Sequence, residues 1–171
     1  MRRPFIAGNW KMNLKRADAV ALAQAVAAKV GDYPDVDVAV CPPSVYLDAV
    51  GAAIKGTTLA LGAQNMYHEA GGAFTGEISA AMLLDLGCKY VILGHSERRH
   101  VLHETDADIN KKVLAALAAG LVPIVCVGEL LSQREAGQTK TVIAEQFEGS
   151  LAGLTAEQMQ KTVLAYEPVW A

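Results

Sequence analysis

The stretch Phe5-Ile6-Ala7-Gly8-Asn9-Trp10-Lys11-Met12-Asn13 distinguishes between two α/β architectures, an open sheet and a barrel. Its first half is apolar and short, as expected for a buried strand, and its second half carries amide and ammonium side chains. An open, doubly wound sheet of the dinucleotide-binding kind would instead have a glycine-rich phosphate loop after its first strand. The stretch therefore favours a barrel, in which polar side chains from several strand ends meet on one face.

The rest of the chain repeats a unit made of a short apolar run and a longer amphipathic one. Runs that are apolar throughout are typical of parallel strands covered on both faces. The predicted strands are Phe5 to Trp10, Val36 to Cys41, Leu59 to Gln64, Tyr90 to Leu93, Val122 to Val127 and Thr162 to Tyr166. The predicted helices are Ala17 to Val30, Ser44 to Ile54, Ser79 to Leu86, Asp106 to Ala119 and Thr139 to Leu151. The sequence thus predicts an α/β protein, a (β/α)8 barrel represented by five βα units plus the sixth strand, in a single incomplete domain over residues 1–171.

Helix faces and caps can be predicted from the same pattern. Thr105 followed by Asp106 and Asp108 predicts a capping box, and Gly31 and Gly120 are expected to close helices in the left-handed conformation. Three sets of apolar residues at helical spacing are expected to cover the sheet: Leu22, Val26 and Val30; Ile109, Val113 and Leu117; Ile143, Phe147 and Leu151.

Composition excludes several classes of protein. A formal net charge of -3 and an isoelectric point near 5.8 give no basic field for nucleic acid or an anionic membrane, and no apolar run approaches spanning length. The three cysteines, Cys41, Cys88 and Cys126, are odd in number and never form a CxxC pair. This spacing argues against a disulfide framework and a zinc site, so we expect a cytoplasmic protein without a metal.

The connection from Asn65 to Ser79 is unusually long. It combines glycines with Met66, Tyr67 and Phe74, and long loops of this kind are usually functional. Apolar side chains on a projecting loop favour docking to a partner subunit, and packing on the chain's own barrel is the alternative.

Three strand ends carry the candidate chemistry: the opening stretch, Gly94-His95-Ser96-Glu97-Arg98-Arg99, and Ala165-Tyr166-Glu167-Pro168-Val169-Trp170. A carboxylate, an imidazole and an ammonium around one pocket mouth suit removal of a proton next to a carbonyl group. Taken singly, Glu167 could be a salt-bridge partner and His95 a structural histidine. Pro168 restricts Glu167 to extended geometry, and a short helix from Ser96 would turn its amide end toward the imidazole.

These segments, together with Gln64-Asn65 to Thr75-Gly76-Glu77 and Cys126-Val127-Gly128-Glu129, resemble the triosephosphate isomerase family in the same order along the whole chain. The resemblance implies a TIM barrel and an isomerase of glycolysis and gluconeogenesis that interconverts dihydroxyacetone phosphate and D-glyceraldehyde 3-phosphate. It also implies a homodimer that needs no cofactor.

The resemblance further implies a role for each site residue. Glu167 would move the proton between two carbons through an enediolate, and His95 would polarise the carbonyl and shuttle protons among the oxygens. Lys11 would stabilise negative charge and, with Asn9, bind substrate. Glu97 would be a supporting charge or a proton-transfer participant, Ser96 and Cys126 would support the site, and Phe74 and Thr75 would form the dimer loop. Arg98 and Arg99 are expected to make structural ion pairs.

The chain departs from the family's pattern in length. A complete barrel of this type takes about 250 residues and eight βα units, so we expect an N-terminal portion that ends at the first hinge of the mobile sixth loop, Pro168-Val169-Trp170. The phosphate-gripping loops of the family would then be absent and the chain by itself poorly active or inactive. Strands one and six would have unpaired edges, which invite a complementary C-terminal fragment.

Two other functions compete with the isomerase. The chain could be a non-catalytic part-barrel that serves as an assembly or folding module. A Schiff-base aldolase barrel is disfavoured because strand six ends in Glu167 rather than a lysine.

Overall fold

The computed structural model describes residues 3–31, 33 and 35–171; Met1, Arg2, Asp32 and Pro34, which belong to the predicted domain, lie outside the described residues. One parallel sheet contains six strands in chain order, each paired with the next. They are β1 (Phe5–Asn9), β2 (Asp37–Cys41), β3 (Ala60–Ala63), β4 (Cys88–Leu93), β5 (Val122–Val127) and β6 (Val163–Tyr166). The predicted series of five βα units and a sixth strand is confirmed.

Helices connect successive strands. They are α1 (Arg16–Val30), α2 (Leu47–Ala53), α3 (Ala80–Asp85), α4 (Ser96–His100), α5 (Asp106–Ala119), α6 (Leu131–Glu135), α7 (Thr139–Ser150) and α8 (Ala156–Gln160). The predicted helix from Ser44 begins as a 3-10 turn over Ser44–Tyr46 before α2. The short helices α6 and α8 were not predicted, because five residues are too few to show a helical period.

The core divides into two clusters on opposite faces of the sheet. Val40, Val91 and Val125 point toward the helices, and their cluster includes Leu47, Leu83 and Ile109. The cluster on the other face consists of side chains from the strands, and its buried members include no helical residue: Ala39, Cys41, Tyr90, Ile92, Ile124 and Cys126. The sheet therefore curls as part of a barrel, with helices outside and its own side chains inside.

The prediction that every strand is covered on both faces is wrong for the two outer strands. In β1, Ile6 is exposed, and in β6 both Leu164 and Tyr166 are exposed. β1 and β6 each have one neighbouring strand in the described part of the chain, so fewer elements cover them than the inner strands.

Two of the predicted helix faces are confirmed only in part. Val26, Val30 and Leu151 pack in or against the core, but Leu22 and Phe147 do not. Leu22 is 40% exposed because α1 packs through alanines: Ala19, Ala23 and Ala27. Phe147 is 37% exposed, and α7 instead buries Val142, Gln146 and Ser150. On α5 the prediction is confirmed, since Ile109 and Val113 are fully buried and Leu117 packs against the core.

Two of the three predicted helix caps are confirmed and one is wrong. Thr105 and Asp108 form the predicted capping box, and Gly120 closes α5 with φ of 94°. Gly31 is a wrong prediction, because its φ of -58° and ψ of -24° continue the right-handed helix. No left-handed residue is needed there.

Candidate active site

A cleft of about 480 Å3 lies at the carboxyl ends of β1, β3 and β4. Parallel strands end on the same side of a sheet, so the polar residues that follow them meet there. The lining includes five residues that the sequence placed at strand ends: Asn9, Lys11, Gln64, Asn65 and His95. Glu97 and Arg98 of α4 complete the wall beside His95.

His95 is the N-cap of α4 and its side chain is only 6% exposed. The backbone N–H of Glu97 donates a hydrogen bond to His95 Nδ1 at 3.2 Å. Because Nδ1 accepts this bond, a neutral ring carries its hydrogen on Nε2. The predicted short helix is thus present, and its first amide groups orient the imidazole.

Glu167 reaches the imidazole from the end of β6. Its Oε2 lies 2.9 Å from His95 Nε2, and its side chain is 43% exposed. The separation suits a hydrogen bond but the direction of the ring N–H does not, so Nε2 is buried without a hydrogen-bond partner among the described residues. A buried donor left in this state is available to a ligand. Glu167 approaches His95 from outside the cleft lining.

Lys11 is joined to α4 by an ion pair. Its Nζ lies 3.0 Å from Glu97 Oε1, while Glu97 Oε2 lies 3.4 Å from His95 Nδ1. The hydrogen bond to Glu97 raises the pKa of the Lys11 ammonium, burial opposes this, and the charges of Glu97 and Glu167 add to it. Lys11 is therefore a stable cation at the cleft.

The backbone of Lys11 has a φ of 53°, which is uncommon outside glycine. Asn9 Oδ1 accepts a hydrogen bond from the Lys11 N–H at 3.0 Å, and Gln64 Nε2 donates to the Lys11 carbonyl at 2.8 Å. The same Gln64 nitrogen donates to the Cys41 carbonyl at 2.8 Å, which ties this turn to β2. Asn9 and Gln64 together fix the conformation that points the lysine at Glu97.

The two predicted supporting residues lie in different elements of the site. Ser96 begins α4 and is half-buried, and the described residues provide no hydrogen bond between its side chain and Glu167. Cys126 lies in β5, where burial, together with the Glu167 charge, raises the pKa of the thiol to about 12. A thiol with that pKa is a poor nucleophile at neutral pH.

The predicted dimer loop is continuous with residues that line the cleft. Phe74 is 39% exposed, and its ring centroid lies 4.8 Å from that of Tyr67. Thr75 is exposed, and Gly76 and Glu77 line the cleft. The loop therefore packs partly on its own residues and leaves its tip exposed.

Arg98 and Arg99 make the predicted structural ion pairs. Arg98 Nη2 lies 2.6 Å from Glu104 Oε1, and Arg99 Nη1 lies 2.5 Å from Asp106 Oδ1. Arg99 also donates to the carbonyl of Gly94 at 2.7 Å and that of Cys126 at 3.1 Å. It thereby links the residue before His95 to the end of β5.

Sequence reasoning missed two buried carboxylates near the site. Glu104 accepts hydrogen bonds from Arg98 and from Lys112, which lies on the buried face of α5 and also donates to Asn65 Oδ1 at 3.0 Å. A lysine one residue before Val113, inside the apolar stripe, was the available signal.

The second carboxylate is Glu129, which has no solvent exposure. It accepts hydrogen bonds from the Tyr166 hydroxyl at 3.0 Å and the Trp170 indole at 3.1 Å. Burial favours a higher pKa, but its own backbone N–H and these side chains offset this and lower the pKa of Glu129. Arg134 lies over the Trp170 ring at 4.3 Å. The cluster anchors the turn that follows Glu167.

Two features are absent from the part of the chain that the structure describes. Over residues 3–31, 33 and 35–171, no group of three or more histidine, cysteine and acidic side chains is arranged to hold a metal ion. No helix in the same residues is long and apolar enough to cross a membrane.

The family model for triosephosphate isomerase matches residues 4–171. The chain belongs to the triosephosphate isomerase family. Its fold and the order of its site segments are those the sequence predicted for that family of isomerases.

Relatives of known name agree with this assignment. The triosephosphate isomerase of Herpetosiphon aurantiacus is 57% identical over 171 residues, which are 100% of this chain and 68% of the relative. That of Rhodopirellula baltica is 56% identical over 170 residues, or 99% of this chain and 67% of the relative. The crystal structure of triosephosphate isomerase from Bartonella henselae superposes with a TM-score of 0.90 at 43% identity, over 99% of this chain and 70% of that chain. The chain spans about two thirds of the length of these relatives.

Proposed function

We propose that this chain carries the acid-base residues of an isomerase that interconverts dihydroxyacetone phosphate and D-glyceraldehyde 3-phosphate through a proton transfer by Glu167. The chain by itself is proposed to be poorly active or inactive. The observation that carries the proposal is the pair formed by a buried, unsatisfied His95 Nε2 and the Glu167 carboxylate 2.9 Å away. A general base beside a hydrogen-bond donor suits a substrate with a carbonyl next to the carbon that loses a proton.

In the proposed reaction, Glu167 takes a proton from the hydroxymethyl carbon of dihydroxyacetone phosphate, and the electron pair moves onto the carbonyl oxygen as the enediolate forms. His95 donates a hydrogen bond from Nε2 to that oxygen and moves protons between the two oxygens. Glu167 then returns its proton to the neighbouring carbon, which yields the aldehyde. Triosephosphate isomerase is itself the standard example of a glutamate base opposite a neutral histidine.

Lys11 and Asn9 have different parts in the proposal. The Lys11 ammonium stabilises the charge that develops on the enediolate oxygens, because a fixed cation near that charge lowers the barrier. Asn9 binds the substrate and holds the Lys11 backbone through the 3.0 Å hydrogen bond. Glu97 is a supporting charge, since both of its oxygens already contact Lys11 and His95.

Ser96 and Cys126 support the base in this proposal. Ser96 would hold the Glu167 carboxylate before the mobile sixth loop closes, and the buried Cys126 thiol packs at the end of β5.

The reaction moves one proton between two carbons and another between two oxygens, so it calls for no cofactor. The three buried free thiols suit the reducing conditions of the cytoplasm, where we place the enzyme.

A homodimer is the proposed assembly. Three exposed apolar residues lie in or next to the cleft lining: Met12 lines it, Val45 follows the lining residue Ser44, and Val101 precedes the lining residue Leu102. Phe74 is 39% exposed, and Thr75 would reach the Asn9 and Lys11 region of a second copy. Replacing Phe74 by serine is expected to raise the dimer dissociation constant about tenfold or more, because buried aromatic anchors dominate interface energies. Light scattering across a dilution series measures the molar mass of the parent chain and of the Phe74→Ser variant. A molar mass that does not change on dilution in either protein would contradict the proposal.

An isomerase assay tests the proposed reaction. It is carried out on the chain and on an extended chain, defined as the chain joined to the third of the Herpetosiphon aurantiacus relative that lies outside the alignment. Isomerase activity in the extended chain, and little or none in the chain by itself, is the expected result. A folded extended chain without activity would contradict the proposal and favour a part-barrel that serves as an assembly module. Borohydride trapping of substrate on the protein would instead indicate Schiff-base chemistry.

A further inference from the structure

Gly128 lies directly against the backbone of the proposed base. A Cβ atom built on Gly128 would lie 2.0 Å from the Glu167 carbonyl oxygen and 2.6 Å from its carbonyl carbon. Any larger residue would therefore push the two backbones apart. The glycine is required here by the close approach of Glu167 rather than by a left-handed backbone.

Gln146 holds both polar backbone groups of Gly128. The Gly128 N–H donates to Gln146 Oε1 at 2.9 Å, and Gln146 Nε2 donates to the Gly128 carbonyl at 3.1 Å. β5 ends at Val127, so these groups are outside the strand pairing. The Gln146 side chain thus provides the two hydrogen bonds that a neighbouring strand would otherwise provide to Gly128.

The contact is buried and comes from a rigid element. Gln146 is 9% exposed and lies on the buried face of α7 with Val142 and Ser150. Because a buried amide without partners is unfavourable, both of its hydrogen bonds select one orientation of the Gly128 backbone.

Glu167 depends on this region for its position. Its N–H donates to the Val127 carbonyl at 2.8 Å, and the N–H of Val169 donates to the Glu129 carbonyl at 3.0 Å. These bonds are on either side of Gly128. The Glu167 carboxylate is 43% exposed, and the contact that it makes with a described side chain is the one with His95. A shift at Gly128 therefore reaches the carboxylate through the backbone.

We propose that Gln146 is a positioning residue for the Glu167 carboxylate, acting from α7 through Gly128. The inference rests on the proposed function, in which Glu167 is the base. Gln146 lies outside the cleft, but its buried amide would keep the Glu167 carboxylate in line with the substrate carbon. A displacement of a reacting group by about 1 Å lowers the rate about 100-fold.

The test is the substitution Gln146→Met in the extended chain. Methionine has a similar length but no hydrogen-bonding amide, so kcat is expected to fall by about 10- to 100-fold with little change in KM. Val142→Ala, one turn earlier on the same buried face, is the matched control and is expected to leave kcat unchanged while it lowers stability. Gln146→Ala gives a second variant should Gln146→Met fail to fold.

A double-substitution cycle separates positioning from a general loss of structure. In a Glu167→Gln background, Gln146→Met is expected to cause no further loss of kcat, since the base that it positions is already gone. Equal loss in both backgrounds, or unchanged kcat in folded Gln146→Met, would overturn the inference and leave the proposed function intact. Full activity in Glu167→Gln would overturn both.

Discussion

At the end of β4, His95 is buried and hydrogen-bonded through its own ring, whereas at the end of β6 Glu167 has a half-exposed carboxylate on a tightly held backbone. The β4 end is braced by arginines that bond through their side chains: Arg98 to Glu104 and Arg99 to Asp106. The β6 end is held by backbone hydrogen bonds and by the close contact with Gly128.

This difference suits the two tasks proposed for the residues. A group that polarises a carbonyl acts best when its dipole is fixed in advance, and the His95 ring is fixed by the Glu97 N–H. A base that takes a proton from one carbon and returns it to the neighbouring carbon needs a fixed backbone and a side chain with room to move. Substitutions at the β6 end should therefore change rate, and substitutions at the β4 braces should change stability.

The largest expected effect is on the rate at the β6 end. Glu167→Gln in the extended chain removes the base and should lower kcat by about 10²- to 10⁴-fold. Because the side chain is half-exposed, the free energy of unfolding should change by less than about 0.5 kcal/mol. A steady-state assay and urea unfolding measure the two quantities. A loss of stability large enough to explain the loss of activity would contradict the proposed difference between the β6 end and the β4 end.

The next effect is on stability at the β4 end. Arg99→Met removes hydrogen bonds to Asp106, Ser150 and two carbonyls, and leaves Asp106 without its cation. Losing these hydrogen bonds, together with an ion pair whose carboxylate side chain is 36% exposed, should lower the free energy of unfolding by about 2 kcal/mol. Lys161→Met, at an exposed pair with Glu157, is the control and should cost less than about 0.5 kcal/mol. If Arg99→Met and Lys161→Met lowered the free energy of unfolding by similar amounts, the contacts of Arg99 would contribute little to stability.

The smallest effect is a pH dependence of stability from Glu104. Burial by itself would raise the pKa of Glu104, but the hydrogen bonds from Arg98 and Lys112 outweigh it and hold the pKa below 4.5. A carboxyl whose folded pKa is depressed stabilises the fold fully above its unfolded pKa, and that contribution is lost as pH falls through the folded value.

Urea unfolding between about pH 6 and about pH 3 measures this dependence. Glu104→Gln should lose stability at the upper end of this range and follow a shallower slope below pH 4.5 than the parent chain. Parallel slopes for the two proteins would mean that other carboxylates account for the acid sensitivity.

Much of the fold and the placement of the site residues could be predicted from the sequence. Continuous apolar runs fixed the strands, and the shared edge of parallel strands predicted that Asn9, Lys11, His95 and Glu167 would meet. The capping box at Thr105 was equally readable, because its two hydrogen bonds connect residues three positions apart. These features depend on local chemistry or on a period along the chain.

What could not be predicted depends on partners distant in sequence. Gln146 lies on the buried face of α7, and the reason for a glutamine there is evident only from its two hydrogen bonds to Gly128, which is 18 residues away in sequence. Lys112 and Glu104 are buried charges that become favourable through each other. Leu22 is exposed because α1 packs closely against the core through small alanines. A ranking of residues by hydrophobicity does not predict this, since leucine is more apolar than alanine.

Hydrogen exchange at carbon is the most direct test of Glu167 as the base. Dihydroxyacetone phosphate is incubated in D2O with the extended chain, and proton NMR follows the loss of the signal from its hydroxymethyl carbon. The proposal predicts deuterium incorporation at that carbon by the parent protein and none above background by a folded Glu167→Gln variant. Incorporation at the same rate in both proteins would contradict it.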